Sequence, residues 1–304
     1  MEFGGILKTM VDNECTLCPR ECKVNRDIVA GYCGCDNKIR VARAALHFWE
    51  EPCISGEKGS GTVFFSGCNL RCCYCQNYTL SHQRFGKEVS SERLGEIFLE
   101  LQDKGANNIN LVTPTHYVDK IIKVLDNIRK DLKIPVVYNC GGYEKINTIK
   151  MLKDYVDIFL HDIKYYDNER AFKYSSAPDY FKHSSEAVNE MIRITGNPII
   201  KDGIMKKGVI IRHLVLPGGK EDSMSILNWI NHNLKKDSYI LSLMNQYTPY
   251  YKSIEHPEIN RRLTTYEYEK VLNYAIELGL TNGYMQERSS AKKEYTPEFD
   301  LTGV

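Results

Sequence analysis

The sequence has 304 residues, 42% of them hydrophobic and 26% charged, which suits one large α/β domain with a small appendage. Its 40 basic and 39 acidic residues give a net charge of +1, so no electrostatic case for nucleic acid exists. No apolar run approaches the roughly 18 residues of a membrane span, and the N-terminus lacks signal-peptide anatomy. We therefore expect a cytoplasmic protein with neither a nucleic-acid nor a membrane partner. Its 11 cysteines stand at metal-like spacings, which favours metal ligation in a reducing compartment over disulfides.

The first cysteines of the chain have the spacing of a metal site. A set of four thiolates is formed by Cys15, Cys18, Cys22 and Cys33. Cys35 and Cys53 are alternatives to the last of these. The surrounding loops hold too little apolar material for a core of their own, and such modules usually need a metal. Zinc and an auxiliary [4Fe–4S] cluster both fit four thiolates; a cluster would suit electron transfer, and zinc would be structural. We predict a cysteine-rich metal-binding module over residues 1–60.

The segment before the first predicted strand of the main domain carries several large apolar residues. Leu46, Phe48 and Trp49 are expected to pack the module onto the main domain. Glu50 and Glu51 follow as polar neighbours of this apolar patch. No chemical role is predicted for either carboxylate.

A denser cysteine motif follows the strand predicted at residues 62–66. The spacing C-x3-C-x2-C is formed by Cys68, Cys72 and Cys75. Three such thiolates can hold three irons of a [4Fe–4S] cluster and leave the fourth open, as in a catalytic metal centre. Zinc sites share these spacings. The aromatic Tyr74 before the last cysteine and the preceding strand favour the cluster. Cys73 is out of register and is not a predicted ligand.

Gly67–Asn77 closely resembles the signature of the radical S-adenosylmethionine (radical SAM) superfamily, and the resemblance covers about residues 60 to 250. It implies that the open iron chelates the amino and carboxylate groups of SAM. One electron then splits SAM into methionine and a 5′-deoxyadenosyl radical, which abstracts a hydrogen atom. Cys15–Cys22 and Glu51–Gly56 resemble stretches of uncharacterised relatives of pyruvate formate-lyase activating enzyme. The resemblance implies reduced flavodoxin or ferredoxin as electron donor, and a protein, peptide or small-molecule substrate, with glycyl-radical activation as one form.

Beyond the motif, the chain alternates predicted strands and helices. The strands are predicted at residues 62–66, 108–113, 134–139, 156–161, 208–215 and 239–244. The helices are predicted near residues 91–104, 121–128, 144–154, 184–195 and 222–234, with a last one from the capping box Thr264–Glu267 to Gly279. Six such units imply a parallel sheet covered by helices and fall short of the eight in a closed barrel. The resemblance supplies a partial (β/α)6 barrel over residues 61–283, followed by a tail over 284–304.

In parallel α/β folds the active site gathers at the C-terminal ends of the strands. With Tyr74 of the motif, the cofactor-binding candidates at these ends are Thr113, Thr115, Asn139, Asp162, Lys164, Arg212 and Tyr247. The threonine hydroxyls would accept the SAM ammonium in place of a Gly-Gly-Glu stretch that this chain lacks. A helix N-cap is the alternative role for Thr115. Asn139 would hydrogen-bond ribose or carboxylate.

The fourth and fifth strands carry the charged candidates. Strand alternation puts Asp162 and Lys164 on one side, where they would meet the methionyl charges or ribose of SAM, or form a salt bridge that closes the sheet end. The Asp-Ile-Lys sequence resembles the Asp-Leu-Lys of pyruvate formate-lyase activating enzyme. Arg212 is a catalytic candidate and a bidentate partner for a carboxylate, and His213 points to the opposite face. Tyr247 stands where the activating enzymes have a histidine that contacts SAM.

Two other functions compete with a radical SAM oxidoreductase. An electron-transfer or metal-binding module without SAM chemistry would need four cysteines on every cluster, recruiting Cys53 or Cys140 from a distance. A SAM-dependent methyltransferase would carry a glycine-rich loop where this chain has cysteines. A polar cluster at residues 286–288 is expected either to reach the substrate or to belong to a solvated tail.

Overall fold

The computed structural model describes residues 14–286 and 297–304. Glu287 and Arg288 of the predicted polar cluster lie outside the described residues. Every helix within the described ranges is too short or too polar to span a lipid bilayer.

The strands of the described residues form one extended sheet. They are β1 (Ile39–His47), β2 (Ser60–Phe65), β3 (Lys87–Val89), β4 (Ile109–Val112), β5 (Val136–Cys140), β6 (Ile158–Asp162), β7 (Ile199–Lys201), β8 (Ile204–Leu214), β9 (Ile240–Met244) and β10 (Gly283–Met285). Their order is β10-β9-β8-β6-β5-β4-β2-β1-β3, and β7 pairs with β8. All six predicted strands are present, as β2, β4, β5, β6, β8 and β9.

The pairing of these six strands is parallel throughout, from β2 with β4 to β8 with β9. The predicted mixed α/β class with a partial parallel barrel is therefore confirmed. Four strands of the described residues go beyond the prediction. β10 extends the parallel sheet next to β9. The other three pair antiparallel, β1 with β2, β3 with β1 and β7 with β8. β1 lies within the predicted module over residues 1–60, so this part of the module is built into the sheet. The domain boundaries stay predictions.

The helices of the described residues are α1 (Pro52–Ser55), α2 (Tyr78–Ser81), α3 (Ser91–Asp103), α4 (Val118–Ile128), α5 (Ile146–Met151), α6 (Asn168–Ser175), α7 (Tyr180–Thr195), α8 (Lys220–Asn233) and α9 (Thr265–Glu277). Of these, α3, α4, α5, α7, α8 and α9 cover the outer face of the sheet. The predicted capping box is present, with the Thr264 side chain and Glu267 satisfying each other's backbone N–H groups. Apolar residues of these helices and of the outer strand face form the largest core cluster.

Helix α1 covers the inner face of the sheet at its lower end, which is the end where the parallel strands begin. Cys53 and Ile54 of α1 pack against inward residues of β5, β6, β8 and β9 in a separate buried cluster. We call Cys53 and Ile54 the plug; Asn108, directly before β4, holds it because its side-chain amide donates to the Ile54 carbonyl at 2.8 Å. The C-terminal ends of the strands stay open, and the candidate site lies there.

Candidate metal and cofactor site

A cavity of roughly 230 Å³ opens at the C-terminal ends of the parallel strands. Its lining includes Cys68, Cys72, Tyr74, Cys75, Thr113, Asn139, Asp162, Lys164, Arg212 and Tyr247. These residues come from the loop after β2 and from the ends of β4, β5, β6, β8 and β9. All of the predicted cofactor-binding residues except Thr115 therefore line one cavity. Glu50 and Trp49, from the segment before α1, also line it.

The motif cysteines lie on the loop between β2 and α2, residues 67–77, which we call the cysteine loop. Each of the three sulfurs accepts a hydrogen bond. The N–H of Leu70 donates to Cys68 at 3.4 Å. The hydroxyl of Ser175 donates to Cys72 at 3.0 Å. The hydroxyl of Ser81 donates to Cys75 at 3.3 Å. Such donors stabilise negative charge on sulfur, so the three cysteines fit thiolate ligands of an iron–sulfur cluster.

Burial disfavours the thiolate form of these cysteines in the absence of a metal. It raises the pKa of Cys68 to about 11 and that of Cys75 to about 12. A metal that binds there must displace these protons, so binding releases acid. In residues 14–286 and 297–304 no three His, Cys, Asp or Glu side chains are grouped as ligands of a single metal ion. A cluster differs from a single ion because each thiolate binds its own iron.

Other cysteines near the cavity have partners elsewhere. Cys140 lies 3.5 Å from Nδ1 of His161. Cys53 is buried in the plug at the lower end of the sheet. Neither is therefore placed as a fourth ligand for the cysteine loop.

A buried ion-pair network forms one side of the cavity. Arg212 on β8 donates from Nε to Asp162 Oδ1 at 2.8 Å, from Nη1 to Glu50 Oε2 at 3.1 Å and from Nη2 to Asn139 Oδ1 at 2.5 Å. Lys164 donates to the other Asp162 oxygen at 2.5 Å. The predicted salt bridge between Asp162 and Lys164 is thus present, and Arg212 joins it across paired strands.

The charges of this network set its protonation. Burial alone would raise the pKa of Asp162, but the Arg212 and Lys164 cations hold it at about 2. Burial opposes the charge on Lys164, yet Asp162 and Cys72 keep its pKa above the ordinary value. Asp162, Lys164 and Arg212 are therefore all charged at neutral pH. His213 is buried on the opposite face of the strand, where its Nε2 lies 2.8 Å from Ser223 Oγ.

The remaining candidates differ in how their polar atoms are used. Thr115 lies in a 3-10 turn before α4, and its hydroxyl donates to Glu144 at 2.7 Å, away from the cavity. It is not the N-cap of α4, which is Tyr117. Tyr247 lines the cavity with its ring and donates its hydroxyl to the Ile259 carbonyl at 2.8 Å. Thr113 lines the cavity with a positive φ of 59°.

The N-terminal loops, residues 14–36, pack directly on the cysteine loop. The sulfurs of Cys22 and Cys33 both border Gly31, since a Cβ added there would lie 3.5 and 3.7 Å from them. Cys15 and Cys33 are both near enough to Cys18 to raise its pKa, although burial is the main cause of its rise to about 12. Cys35 is turned instead toward the carbonyl of Ser66, 3.2 Å away.

Glu50 is the member of the site that the sequence prediction missed. Its Oε1 accepts from the side chains of Asn110 at 2.9 Å and Asn139 at 3.2 Å, and its other oxygen pairs with Arg212. The available signal was two adjacent carboxylates directly before a proline, followed by an apolar pair that enters the sheet interior. Buried carboxylates require partners, and such a position predicts a cation nearby.

Comparisons with a family model and with known proteins agree on one family. The model of the radical SAM superfamily matches residues 62–230. An uncharacterised protein of Methanocaldococcus jannaschii is 33% identical over 285 residues, covering 90% of this chain and 78% of that protein. A pyruvate formate-lyase-activating enzyme of Clostridium pasteurianum is 31% identical over 116 residues, covering 35% of this chain and 46% of that enzyme.

Among solved structures, Streptococcus suis SuiB bound to its precursor peptide SuiA is similar at 13% identity and a TM-score of 0.49. The match covers 72% of this chain and 46% of SuiB, so this chain spans less than half of that protein.

Proposed function

The chain belongs to the radical SAM superfamily, and from this premise we propose that Cys68, Cys72 and Cys75 hold a [4Fe–4S] cluster for the reductive cleavage of SAM. When bound, the cluster and SAM supply one electron and a 5′-deoxyadenosyl radical that removes a hydrogen atom from a substrate. The observation that carries the proposal is that three cysteines with hydrogen-bonded sulfurs line the same cavity as the charged ends of β6 and β8.

The residues around the cysteines are proposed to bind and orient SAM. Lys164 has three N–H donors, and its bond to Asp162 uses one of them. Its ammonium therefore offers a cation to the methionyl carboxylate from a position beside the cysteine loop. Arg212, Asp162 and Asn139 hold one another in fixed positions, so we assign them to orienting the ribose or the substrate. The rings of Tyr74 and Tyr247 supply apolar cavity surface.

A second metal site is proposed at Cys15, Cys18, Cys22 and Cys33. Support comes from the short distance of the Cys22 and Cys33 sulfurs to a common point and from the electrostatic effect of Cys15 and Cys33 on Cys18. Zinc and an auxiliary iron–sulfur cluster both suit thiolate ligands. A single zinc ion would require the four sulfurs to move closer together than they lie in the described residues.

We propose that the substrate is a protein, a peptide or a small molecule. We propose further that the activity is similar to that of the pyruvate formate-lyase activating enzymes. The 31% identity with one such enzyme over part of the chain supports this subtype. Reduced flavodoxin or ferredoxin is proposed as the electron donor, in keeping with the superfamily.

The test is anaerobic reconstitution with iron and sulfide, followed by reduction with dithionite, addition of SAM and quantification of 5′-deoxyadenosine. We expect product from the wild-type protein and from Cys140→Ala, a matched control that removes a buried cysteine outside the motif. Cys72→Ala should give none. Product that persists in Cys72→Ala, or a wild-type protein that assembles no cluster, would contradict the proposal.

The iron and zinc contents of the same samples identify the metal at the second site. About four irons per chain, with zinc present, would assign zinc to the N-terminal loops, and about eight irons would assign a second cluster. Four irons without zinc would contradict a second metal site.

A further inference from the structure

Behind the cysteine loop lies a row of buried hydroxyl groups that ends on Cys72. The hydroxyls of Tyr74 and Tyr165 are 2.7 Å apart, and that of Tyr165 is 2.7 Å from Ser175 Oγ. Ser175 is in turn 3.0 Å from the sulfur of Cys72. We call Tyr74, Tyr165 and Ser175 the hydroxyl chain. Each of its members is less than 10% exposed.

Counting protons fixes the direction of every bond in this chain. A ligating Cys72 is a thiolate without a proton, so the Ser175 hydroxyl must donate to it. Ser175 has then used its only proton and must accept from Tyr165. Tyr165 in the same way must accept from Tyr74. All three O–H dipoles therefore point toward the Cys72 sulfur.

Ser81, the donor to Cys75, lacks this constraint. Its oxygen is 3.3 Å from the Cys75 sulfur and also 2.9 Å from Nδ1 of His82. His82 Nε2 must donate to the Arg71 carbonyl, 3.1 Å away, so a neutral imidazole offers Nδ1 as a second acceptor for the Ser81 proton, whereas a doubly protonated one leaves that proton to Cys75. Of the two hydroxyl donors to motif sulfurs, Ser175 is therefore the one whose direction does not depend on an imidazole.

We propose that the hydroxyl chain raises the reduction potential of the cluster by stabilising negative charge on the Cys72 sulfur. A reduced cluster carries one more electron, and donors to its sulfurs favour that state. Aligned hydroxyls in a buried, low-dielectric setting polarise one another, so the more distant tyrosines strengthen the bond that Ser175 makes. Ser175, Tyr165 and Tyr74 are positioning residues that act through Cys72.

Ser175 is itself held by the N-terminal loops. Arg20 donates from Nη2 to the Ser175 carbonyl at 2.8 Å and from Nε to the Asn69 carbonyl at 2.8 Å. One guanidinium therefore ties the last residue of α6 to the cysteine loop, which fixes the distance between the Ser175 hydroxyl and Cys72.

The inference rests on the proposed ligation of the cluster by Cys72. Its test measures the reduction potential of the cluster and not the turnover of the enzyme. Potentiometric titration of the reconstituted protein, followed by electron paramagnetic resonance of the reduced cluster, gives the ratio of reduced to oxidised cluster at a set potential. We expect Ser175→Ala to lower that ratio about tenfold, which is about 59 mV for one electron. Tyr165→Phe should lower it less, and Tyr74→Phe least.

Two variants separate this effect from a general loss of packing. Ser175→Thr keeps the hydroxyl and should stay near the wild-type potential. Tyr174→Phe removes a hydroxyl from the same aromatic cluster, but that hydroxyl donates to Glu258 and lies outside the chain, so no shift is expected. If Ser175→Ala fails to fold, the two tyrosine variants retain the predicted order.

Equal potentials in the wild-type protein and both chain tyrosine variants, or an equal shift in Tyr174→Phe and Tyr165→Phe, would overturn the inference while the proposed function stands. A wild-type protein that forms no cluster would overturn both.

Discussion

The backbone N–H of Cys68 donates a hydrogen bond to the carbonyl of Cys33, at 3.3 Å. The first motif cysteine is thus connected directly to a cysteine of the N-terminal loops, 35 positions earlier by their residue numbers. The two cysteine-rich segments therefore form one local structure, and a change in either is expected to affect the other.

Gly67→Ala tests this contact sterically. Gly67 has a φ of +88°, and an added Cβ would meet the Cys35 sulfur at 2.2 Å and the Cys33 carbonyl at 2.9 Å. We expect separation of the two segments and a clear drop in iron bound at the cysteine loop, measured after desalting. Gly105→Ala is the matched control, since it has a φ of +83° but nothing within 4 Å of the added Cβ. Gly105→Ala should only lower the free energy of unfolding by about 1–2 kcal/mol, the cost of a left-handed backbone conformation for a residue with a Cβ. Equal iron loss in both variants would contradict the steric explanation.

Arg20→Ala tests the link between the N-terminal loops and α6. Arg20 also lies over the Tyr32 ring at 3.9 Å, so its removal costs both hydrogen bonds and stacking. We expect faster amide hydrogen exchange in the cysteine loop and at the end of α6. Arg20→Lys should rescue poorly because an ammonium lacks the planar fork. Lys38→Ala, on an exposed ion pair of the same region, is the control. Unchanged exchange in Arg20→Ala would show that the Arg20 bonds to Ser175 and Asn69 do not hold the two segments together.

Arg212→Ala would leave Asp162 and Glu50 as buried carboxylates that have lost their shared cation. Breaking a buried pair on one side typically costs about 3–5 kcal/mol, and we expect a loss of that order in the free energy of unfolding by urea. Arg93→Ala, which removes surface ion pairs with Glu96 and Glu100 on α3, should change stability little. A double-mutant cycle with Asp162→Asn measures the coupling. Coupling near zero would mean that the pair contributes no net stability.

Glu144 predicts a pH dependence of stability. Burial raises its pKa from 4.5 to about 8, against hydrogen bonds from Thr115 and Tyr138 that lower it. The folded state therefore holds the proton more tightly than the unfolded state. The stabilisation is complete below about pH 4.5 and is lost as pH rises to about 8, with a slope of up to about 1.4 kcal/mol per pH unit. Urea unfolding at pH 5 to 8 should show this decline in the wild-type protein and a flatter curve in Glu144→Gln. Parallel curves would assign the dependence to other groups.

The fold was more accessible from sequence than the site. The six parallel strands are short apolar runs between helical patterns, so their type follows from periodicity. β10 was missed because Gly283–Met285 is too short to show a pattern. β1 was missed because its alanines carry little β signal, and its strand form comes from pairing with β2.

In the site, residues at strand ends converge because the parallel sheet places those ends together. Thr115 differs because one turn beyond the strand carries its hydroxyl to Glu144. The local pattern at Glu50 indicates a cationic partner but cannot identify it, because Arg212 is 162 residues away in sequence. The direction of the Ser175 hydroxyl likewise depends on α6 meeting a loop about a hundred residues earlier.

The plug at the lower end of the sheet limits the routes by which ligands can enter and leave the cavity. Cys53 and Ile54 fill that end with apolar side chains, and Asn108 fastens them there. In the described residues the strand order starts at β10 and ends at β3, so the sheet does not close into a barrel. Ligands therefore reach the cavity from the C-terminal ends of the strands, beside the cysteine loop, or between the two sheet edges, and not through the packed end.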